Sequence, residues 1–233
     1  EGYLSPEIPL PASDVTIFCT YPKATAEIIR NNVNNFKPYS IVTDASGIKN
    51  NIVKELKPVM KNNVEFIGGH PMSGKESMGY EFSDGCIFNN AEYILTPDEE
   101  TSERSIRVLT ELIKGMGFGC VSIMSAEAHD KRIAFTSQLP HLIACALMNN
   151  RNFDDGYHCI GGSLRDMTRV ADLNSDLWCE LIYENKVNIL DELDNFMLDM
   201  NKIYDILRED DVDSMKSMMK TGSLRKKGMN EKG

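Results

Sequence analysis

Apolar and polar positions change rhythm halfway along this chain. In the first half, short runs rich in β-branched residues alternate with stretches of helical period: Val15 to Thr20 then Ala24 to Phe36, Ser40 to Asp44 then Ile48 to Met60, then Val64 to Gly68. That alternation predicts βαβ units and a parallel sheet. A further strand is predicted over Ala91 to Thr96, and Thr96-Pro97-Asp98-Glu99-Glu100 suits the cap and first turn of a helix. That helix carries Ile106, Leu109, Leu112, Ile113 and Met116 at helical spacing, and Gly115, Gly117 and Gly119 punctuate its end before a strand at Cys120 to Ile123. From Ser125 the strand signal stops. A helical pattern runs from Ser125 to Asn150, broken or kinked near Pro140, and a last segment spaces Leu190, Leu193, Met197, Met200, Tyr204 and Leu207 by 3, 4, 3, 4 and 3. Such a seam suits packing against another long helix. The tail after Met219, dominated by Lys and Gly, is expected to fray.

The expected division is an α/β domain over residues 1–123 and an all-α domain over residues 124–233. A dinucleotide-binding sheet of the Rossmann kind opens with a strand and a G-x-G-x-x-G turn, whose bare amides and helix N-terminus hold a pyrophosphate. No such turn occurs in the sequence. Gly115-Met116-Gly117-Phe118-Gly119 is the nearest cluster, but it follows a helix and precedes a strand, the reverse of the required order. Because a proline-rich loop leads straight into the first strand, the expectation is a Rossmann-like parallel sheet domain with its N-terminal strands missing.

Composition narrows the partners. With 233 residues and 42% apolar side chains the chain can bury a sizeable core, and it holds no apolar run of membrane-spanning length and no secretion signal at Glu1-Gly2-Tyr3-Leu4. A net charge of −10 disfavours nucleic acid and anionic membrane, so an anionic ligand needs a local cationic site. The six cysteines form no C-x-x-C pair, and Cys19, Cys120, Cys145 and Cys179 fall in apolar stretches where a thiol acts as a small hydrophobe. A cytoplasmic protein is expected. The thirteen methionines read as gap-fillers between helices.

Four stretches carry residues suited to chemistry. Gly68-Gly69-His70-Pro71-Met72-Ser73-Gly74-Lys75-Glu76 follows the third strand, and a loop at a strand's carboxyl end is where α/β sheets bind ligands. His70 is either a proton acceptor or an ordinary surface group. Thr43-Asp44-Ala45-Ser46-Gly47-Ile48-Lys49 is a second strand end, in which Asp44 or Ser46 serves a ligand or merely caps the next helix. In the helical half, Ser137 and His141 lie four apart near Pro140, on one helix face if that turn is undistorted. Arg165 and Arg169 follow Gly161-Gly162, and each could clamp a carboxylate or pair with a surface acid. Nothing suggests a metal site.

From about Ser13 to Trp178 the sequence resembles the prephenate dehydrogenases, with the similar arogenate and cyclohexadienyl dehydrogenases. The resemblance rests on Gly69-His70-Pro71-Met72-Ser73-Gly74 with Glu76, then Phe88-Asn89-Asn90-Ala91-Glu92-Tyr93-Ile94-Leu95-Thr96-Pro97. It continues through His129-Asp130, Leu139-Pro140-His141, Gly161-Gly162, Arg165-Asp166-Met167-Thr168-Arg169 and Trp178. It implies NAD-linked oxidative decarboxylation of prephenate to 4-hydroxyphenylpyruvate in tyrosine biosynthesis, with NADP in place of NAD and arogenate in place of prephenate left open.

By that resemblance His70 accepts the ring hydroxyl's proton, Arg169 binds one substrate carboxylate, and His141 with the backbone near Gly162 serves the pyruvyl end. Lys75 and Trp178 are added to the substrate side, and Thr20, Pro22, Asp44 and Ser46 to the cofactor side, with Ser46 also touching the hydroxyl. A homodimer through the helical domain is expected by analogy with other dehydrogenases that join an α/β half to a helical half. The chain departs from the family in three places. Ser46 precedes Gly47 where glycine then serine is usual, Lys75 replaces a small hydroxyl residue, and Gln138 replaces a frequent histidine. The missing glycine turn keeps a noncatalytic, ligand-sensing dimeric module as the competing expectation.

Overall fold

The computed structural model describes residue 2 and residues 5–74, 80–152 and 159–230. Among them, five strands form one mixed sheet in the order β1 (Val15–Phe18), β2 (Ile41–Asp44), β3 (Glu65–Pro71), β4 (Glu92–Thr96) and β5 (Cys120–Ile123). β1, β2 and β3 run parallel, joined through α1 (Pro22–Asn31) and α2 (Asn50–Leu56), as the βαβ rhythm predicts. β4 then runs antiparallel to β3, and β5 runs parallel to β4 through α3 (Glu103–Gly115). The all-parallel expectation is therefore corrected. The described residues between β3 and β4 hold only two short 3-10 turns, Tyr80–Phe82 and Gly85–Phe88, and no crossover helix that would return the chain in the same direction.

Both faces of the sheet are covered, which is why β2 reads as an unbroken buried run. Successive side chains point to opposite faces: Val42 and Phe66 join Ala26, Ile29, Ile52 and Leu56 of α1 and α2, while Ile41 and Ile67 join Leu95 and Leu109, Ile113 of α3. The predicted helix cap at Thr96-Pro97-Asp98 lies too early. Asp98 and Thr101 tie up a turn, and Ser102 is the N-cap, its hydroxyl accepting from Ser105 N. The expected stop follows α3, with Gly117 at φ 100.

Two compact units, Glu1–Ile189 and Leu190–Gly233, make up the chain. In the first, α4 (Ala126–Ile133) runs into a π-helix, Ala134–Gln138, and then α5 (Leu139–Met148), so the helix continues past Pro140 and the irregular π-helical turn falls just before it. α6 (Gly162–Thr168) and α7 (Ser175–Glu184) complete this unit's described helices, before α8 (Lys186–Arg208) begins. In the second unit α8 continues and α9 (Val212–Asn230) follows a turn in which Asp210 takes φ 52. The tail expected to fray stays helical to Asn230, and Lys227 in its last turn complements the carbonyl end of the helix dipole. Met197, Met200, Tyr204 and Leu207 of the predicted seam are exposed in the single chain.

Two smaller expectations change. Cys19, Cys120 and Cys179 are exposed and Cys145 half-buried, so these thiols are not core hydrophobes. Several methionines, Met167 and Met219 among them, are exposed rather than filling gaps. Among the described residues, no helix is long and apolar enough to cross a membrane.

Candidate active site

His70 sits inside strand β3, three residues past Ile67, the last that pairs with β2. The sequence places it on a loop; the structure puts Gly68 and Gly69 in the strand as well. Their lack of a side chain is required by close approach rather than by backbone angle. A Cβ on Gly68 would lie 2.4 Å from Thr96 Oγ1 and 2.8 Å from Lys49 Cδ, and one on Gly69 would lie 2.4 Å from the Tyr93 hydroxyl and 2.6 Å from Asp44 O. This gap lets the Lys49 side chain pass behind the strand, fully buried.

Lys49 donates from Nζ to Asp44 and to Ser46 Oγ (2.9 Å). Asp44 in turn accepts from Ser46 N (3.1 Å), the Ser46 hydroxyl and Gly69 N (3.1 Å). Burial pushes the Lys49 ammonium below its usual pKa, and the Asp44 carboxylate opposes that. The expected cofactor residues Asp44 and Ser46 are thus consumed in an internal cluster that grips the residue next to His70.

A second set of contacts reaches His70 from the helical half. His70 Nδ1 lies 2.8 Å from His129 Nε2, and His129 Nδ1 lies 2.7 Å from Asp130 Oδ1. His129 has no solvent exposure. Asp130 also accepts from Lys49 N and Asn50 N, both at 2.8 Å, at the start of α2. Its carbonyl accepts from Asn185, which also donates to Gln138 Oε1 (2.6 Å), and Gln138 donates to Leu181 O (3.0 Å). Burial first, then the neighbouring His129 and the Lys49 charge, hold the His70 pKa well below the ordinary imidazole value, so the ring is neutral near pH 7.

The other edge of His70 meets a cavity of about 610 Å³, a size suited to a small organic ligand. His141, Arg169 and Trp178 line the same cavity, as do Tyr21 and Asp172. His141 stacks on Trp178 with ring centroids 3.8 Å apart, and its Nδ1 donates to Ser137 O (2.8 Å) one turn back, across the junction of the π-helix and α5. A neutral imidazole, a guanidinium and a stacked indole around one cavity can take a proton from an alcohol, bind an anion and hold a flat ring.

Of the residues singled out in the sequence, His70, His141, Arg169 and Trp178 line this cavity; Gly162 does not, although α6 carries it nearby in the chain. Thr20 is bound through its hydroxyl to Thr25 (2.7 Å), and Pro22 borders a separate, much smaller cavity. Lys75 lies outside the described residues. The sequence reading missed the roles of Lys49, His129 and Asp130. A buried lysine reads like any solvated one in a polar turn, while the adjacent His129-Asp130 was itself a visible signal.

Comparison with known proteins adds the following. Residues 9–122 match the family model described as prephenate dehydrogenase, nucleotide-binding domain, and residues 125–221 match prephenate dehydrogenase, dimerization domain. A prephenate dehydrogenase of Bacillus subtilis is 29% identical over 194 residues, 81% of this chain and 52% of that protein. A cyclohexadienyl dehydrogenase of Zymomonas mobilis is 30% identical over 210 residues, 86% of this chain and 70% of that protein. The chain thus spans about half the length of the Bacillus relative. A crystal structure of prephenate dehydrogenase from Aquifex aeolicus, in complex with hydroxyphenyl propionate and NAD+, shares the fold with a TM-score of 0.85 at 24% identity, over 98% of this chain and 81% of that one.

Proposed function

The chain belongs to the prephenate dehydrogenase family, and on that premise we propose that it carries out the NAD-dependent oxidative decarboxylation of prephenate to 4-hydroxyphenylpyruvate, on the route to tyrosine. The observation that carries this reading is that His70 and Arg169 open onto the same cavity. Prephenate presents a ring alcohol and two carboxylates. His70 accepts the alcohol proton as the carbinol carbon gives up hydride; loss of carbon dioxide then sends its bonding electrons through the ring to the oxygen, which takes the proton back from His70 as a phenol. No net proton is consumed, so one imidazole of low basicity suffices in both directions.

Arg169 suits a carboxylate because its fork binds both oxygens and its charge does not titrate away. The His141–Trp178 stack gives the pyruvyl end or the ring a flat wall. Ser46 is not assigned a contact with the hydroxyl, because its oxygen is engaged by Lys49 and by Asp44.

NAD supplies the hydride acceptor when bound. The residues suit its nicotinamide end: the carboxyl ends of parallel β1, β2 and β3, where nucleotides bind α/β sheets, converge beside His70, and Tyr21 at the end of β1 lines the cavity. A Cβ at Gly47 would stand 3.4 Å from Leu181 Cδ1 and 3.9 Å from His70 Nε2, so the turn after β2 packs beside the Nε2 edge of the base. Sequence features for a pyrophosphate cradle are not among these 233 residues. The exposed seam on α8 supports a homodimer.

Arogenate is the second reading, supported by Asp172 on the cavity wall, a carboxylate able to meet an ammonium group. The test is to follow nicotinamide reduction with prephenate and arogenate in parallel, using NAD+ and NADP+. His70→Asn should lower turnover about 10²–10⁴-fold with substrate still binding, and Arg169→Gln should mainly raise KM. Normal turnover in His70→Asn would refute the assignment of the base. Tight prephenate binding with no reduction of either nucleotide would favour the sensing module.

A further inference from the structure

Resting on that reading of His70 as the base, we propose that His129, fixed by Asp130, is a positioning residue that dictates which nitrogen of His70 carries the proton. Three N–H groups converge on the Asp130 carboxylate: Lys49 N and Asn50 N at 2.8 Å each, and His129 Nδ1 at 2.7 Å. Two of them are the leading amides of α2, so the helix start and the carboxylate hold one another in place. A carboxylate only accepts, so His129 Nδ1 must carry its hydrogen.

In the neutral ring Nε2 is then left with a lone pair, and that lone pair lies 2.8 Å from His70 Nδ1. His70 must therefore donate from Nδ1, which leaves its own Nε2 as the acceptor. That is the nitrogen turned away from His129, on the side of the turn after β2, in a ring that lines the cavity. The relay thus presents a lone pair, not an N–H, to an incoming alcohol. Neutral histidine in water favours the opposite tautomer, with hydrogen on Nε2, in which the base would be blocked.

The proton inventory is complete. The alcohol O–H bond breaks, an Nε2–H bond forms on His70, and the resulting positive charge is neutralised through His129 by Asp130, two hydrogen bonds away. When the phenol forms, the same proton leaves Nε2 and the relay returns to its starting tautomers. His129 touches neither substrate nor the reacting atoms, because it is wholly buried behind His70.

The tautomers can be read directly by long-range proton–nitrogen NMR on the protein labelled at its four histidines. The wild-type protein should show His70 protonated at Nδ1 near neutral pH. His129→Phe removes the acceptor, and should shift His70 toward the Nε2–H form and lower kcat by at least about 10²-fold, with KM changed by less than about threefold. His129→Gln keeps an amide oxygen near the position of Nε2, so it should hold His70 in the Nδ1–H form and recover most of the lost kcat. Should His129→Phe fail to fold, the wild-type and His129→Gln spectra decide alone. An Nε2–H His70 in the wild-type protein, or unchanged tautomer and kcat in His129→Phe, would overturn the relay. Turnover of prephenate with an Nε2–H His70 sinks the relay and leaves the functional reading standing; an Nδ1–H His70 without any turnover does the reverse.

Discussion

Replacing Lys49 by methionine removes a buried charge while keeping the length of the side chain that threads past Gly68. Asp44 then loses its cation but keeps Ser46 N and Gly69 N, each at 3.1 Å, and its contact with the Ser46 hydroxyl. Breaking a buried pair from one side costs about 3–5 kcal/mol. With those donors still in place the loss belongs at the low end, about 3 kcal/mol, which for a unit of this size lowers Tm by about 6–12 °C. Asp44→Asn is the harsher change. An amide has only one acceptor oxygen, and the Ser46 and Gly69 N–H groups approach Asp44 through different oxygens, so its NH2 must face one of them; with the oxygen kept toward Ser46 and Lys49, the Gly69 N–H is unmet and the Lys49 ammonium has lost its counter-charge. Adding an unmet buried donor to the broken pair brings the cost to about 5 kcal/mol. Urea melts followed by circular dichroism measure both. A Lys49→Met cost under about 1 kcal/mol, or an Asp44→Asn cost below that of Lys49→Met, would refute this account of the cluster. So would an Asp44→Asn protein of normal stability with weakened cofactor binding, since that is what a ligand-contacting Asp44 would give.

Two other outcomes follow from the same geometry. The folded pKa of His70 lies well below the 6.5 of an unfolded imidazole, so between the two values the unfolded chain binds more protons; its contribution to stability is full above about 6.5 and is lost as pH falls from there toward the folded value, and the acid limb of kcat/KM should lie below 6.5, as stability and rate profiles from pH 8 down to pH 4 will test. Gly69→Ala puts a methyl 2.4 Å from the Tyr93 hydroxyl and 2.6 Å from Asp44 O, so it should cost about 2–3 kcal/mol, read by thermal melting, and a neutral effect would mean the strand shifts freely.

How much of this was legible in the sequence depends on whether a residue's job is local. The strands and α1 to α3 follow from period and caps, and the helix stop at Gly117 follows from a backbone angle only glycine adopts cheaply. The antiparallel β4 was not legible, because its alternation is the same in either direction and the local pattern carries no sign of which way a strand runs. His70, His141, Arg169 and Trp178 could be singled out as chemistry-bearing types, yet their convergence on one cavity comes from the packing of helices far apart in the chain. The internal bonding of Asp44 and Ser46 was hidden for the reverse reason. A polar pair at a strand's carboxyl end suggests a ligand, and nothing in the local sequence reveals that a lysine five residues on folds back to occupy both.

That inward-turned lysine also ties the proposed base in the α/β half to the proposed relay in the helical half. Lys49 contributes in two directions: its ammonium holds Asp44, whose other oxygen fixes the Gly69 amide beside His70, and its backbone N–H holds Asp130 of α4. Asn185 ties the Asp130 carbonyl to Gln138 of the π-helix, and that helix leads into α5, which carries His141 on the cavity wall. One hydrogen-bonded path therefore joins the base, its tautomer and that wall of the cavity. Gln138 suits the middle of this path as a histidine would not, since its amide oxygen accepts from Asn185 while its NH2 donates to Leu181 O, and a neutral imidazole offers its acceptor and donor at fixed, divergent angles. The departure from the family at position 138 is thus met within the network, and if the proposed relay holds, the packing of α4 against α2 is the contact that keeps His129 and Asp130 in place behind His70.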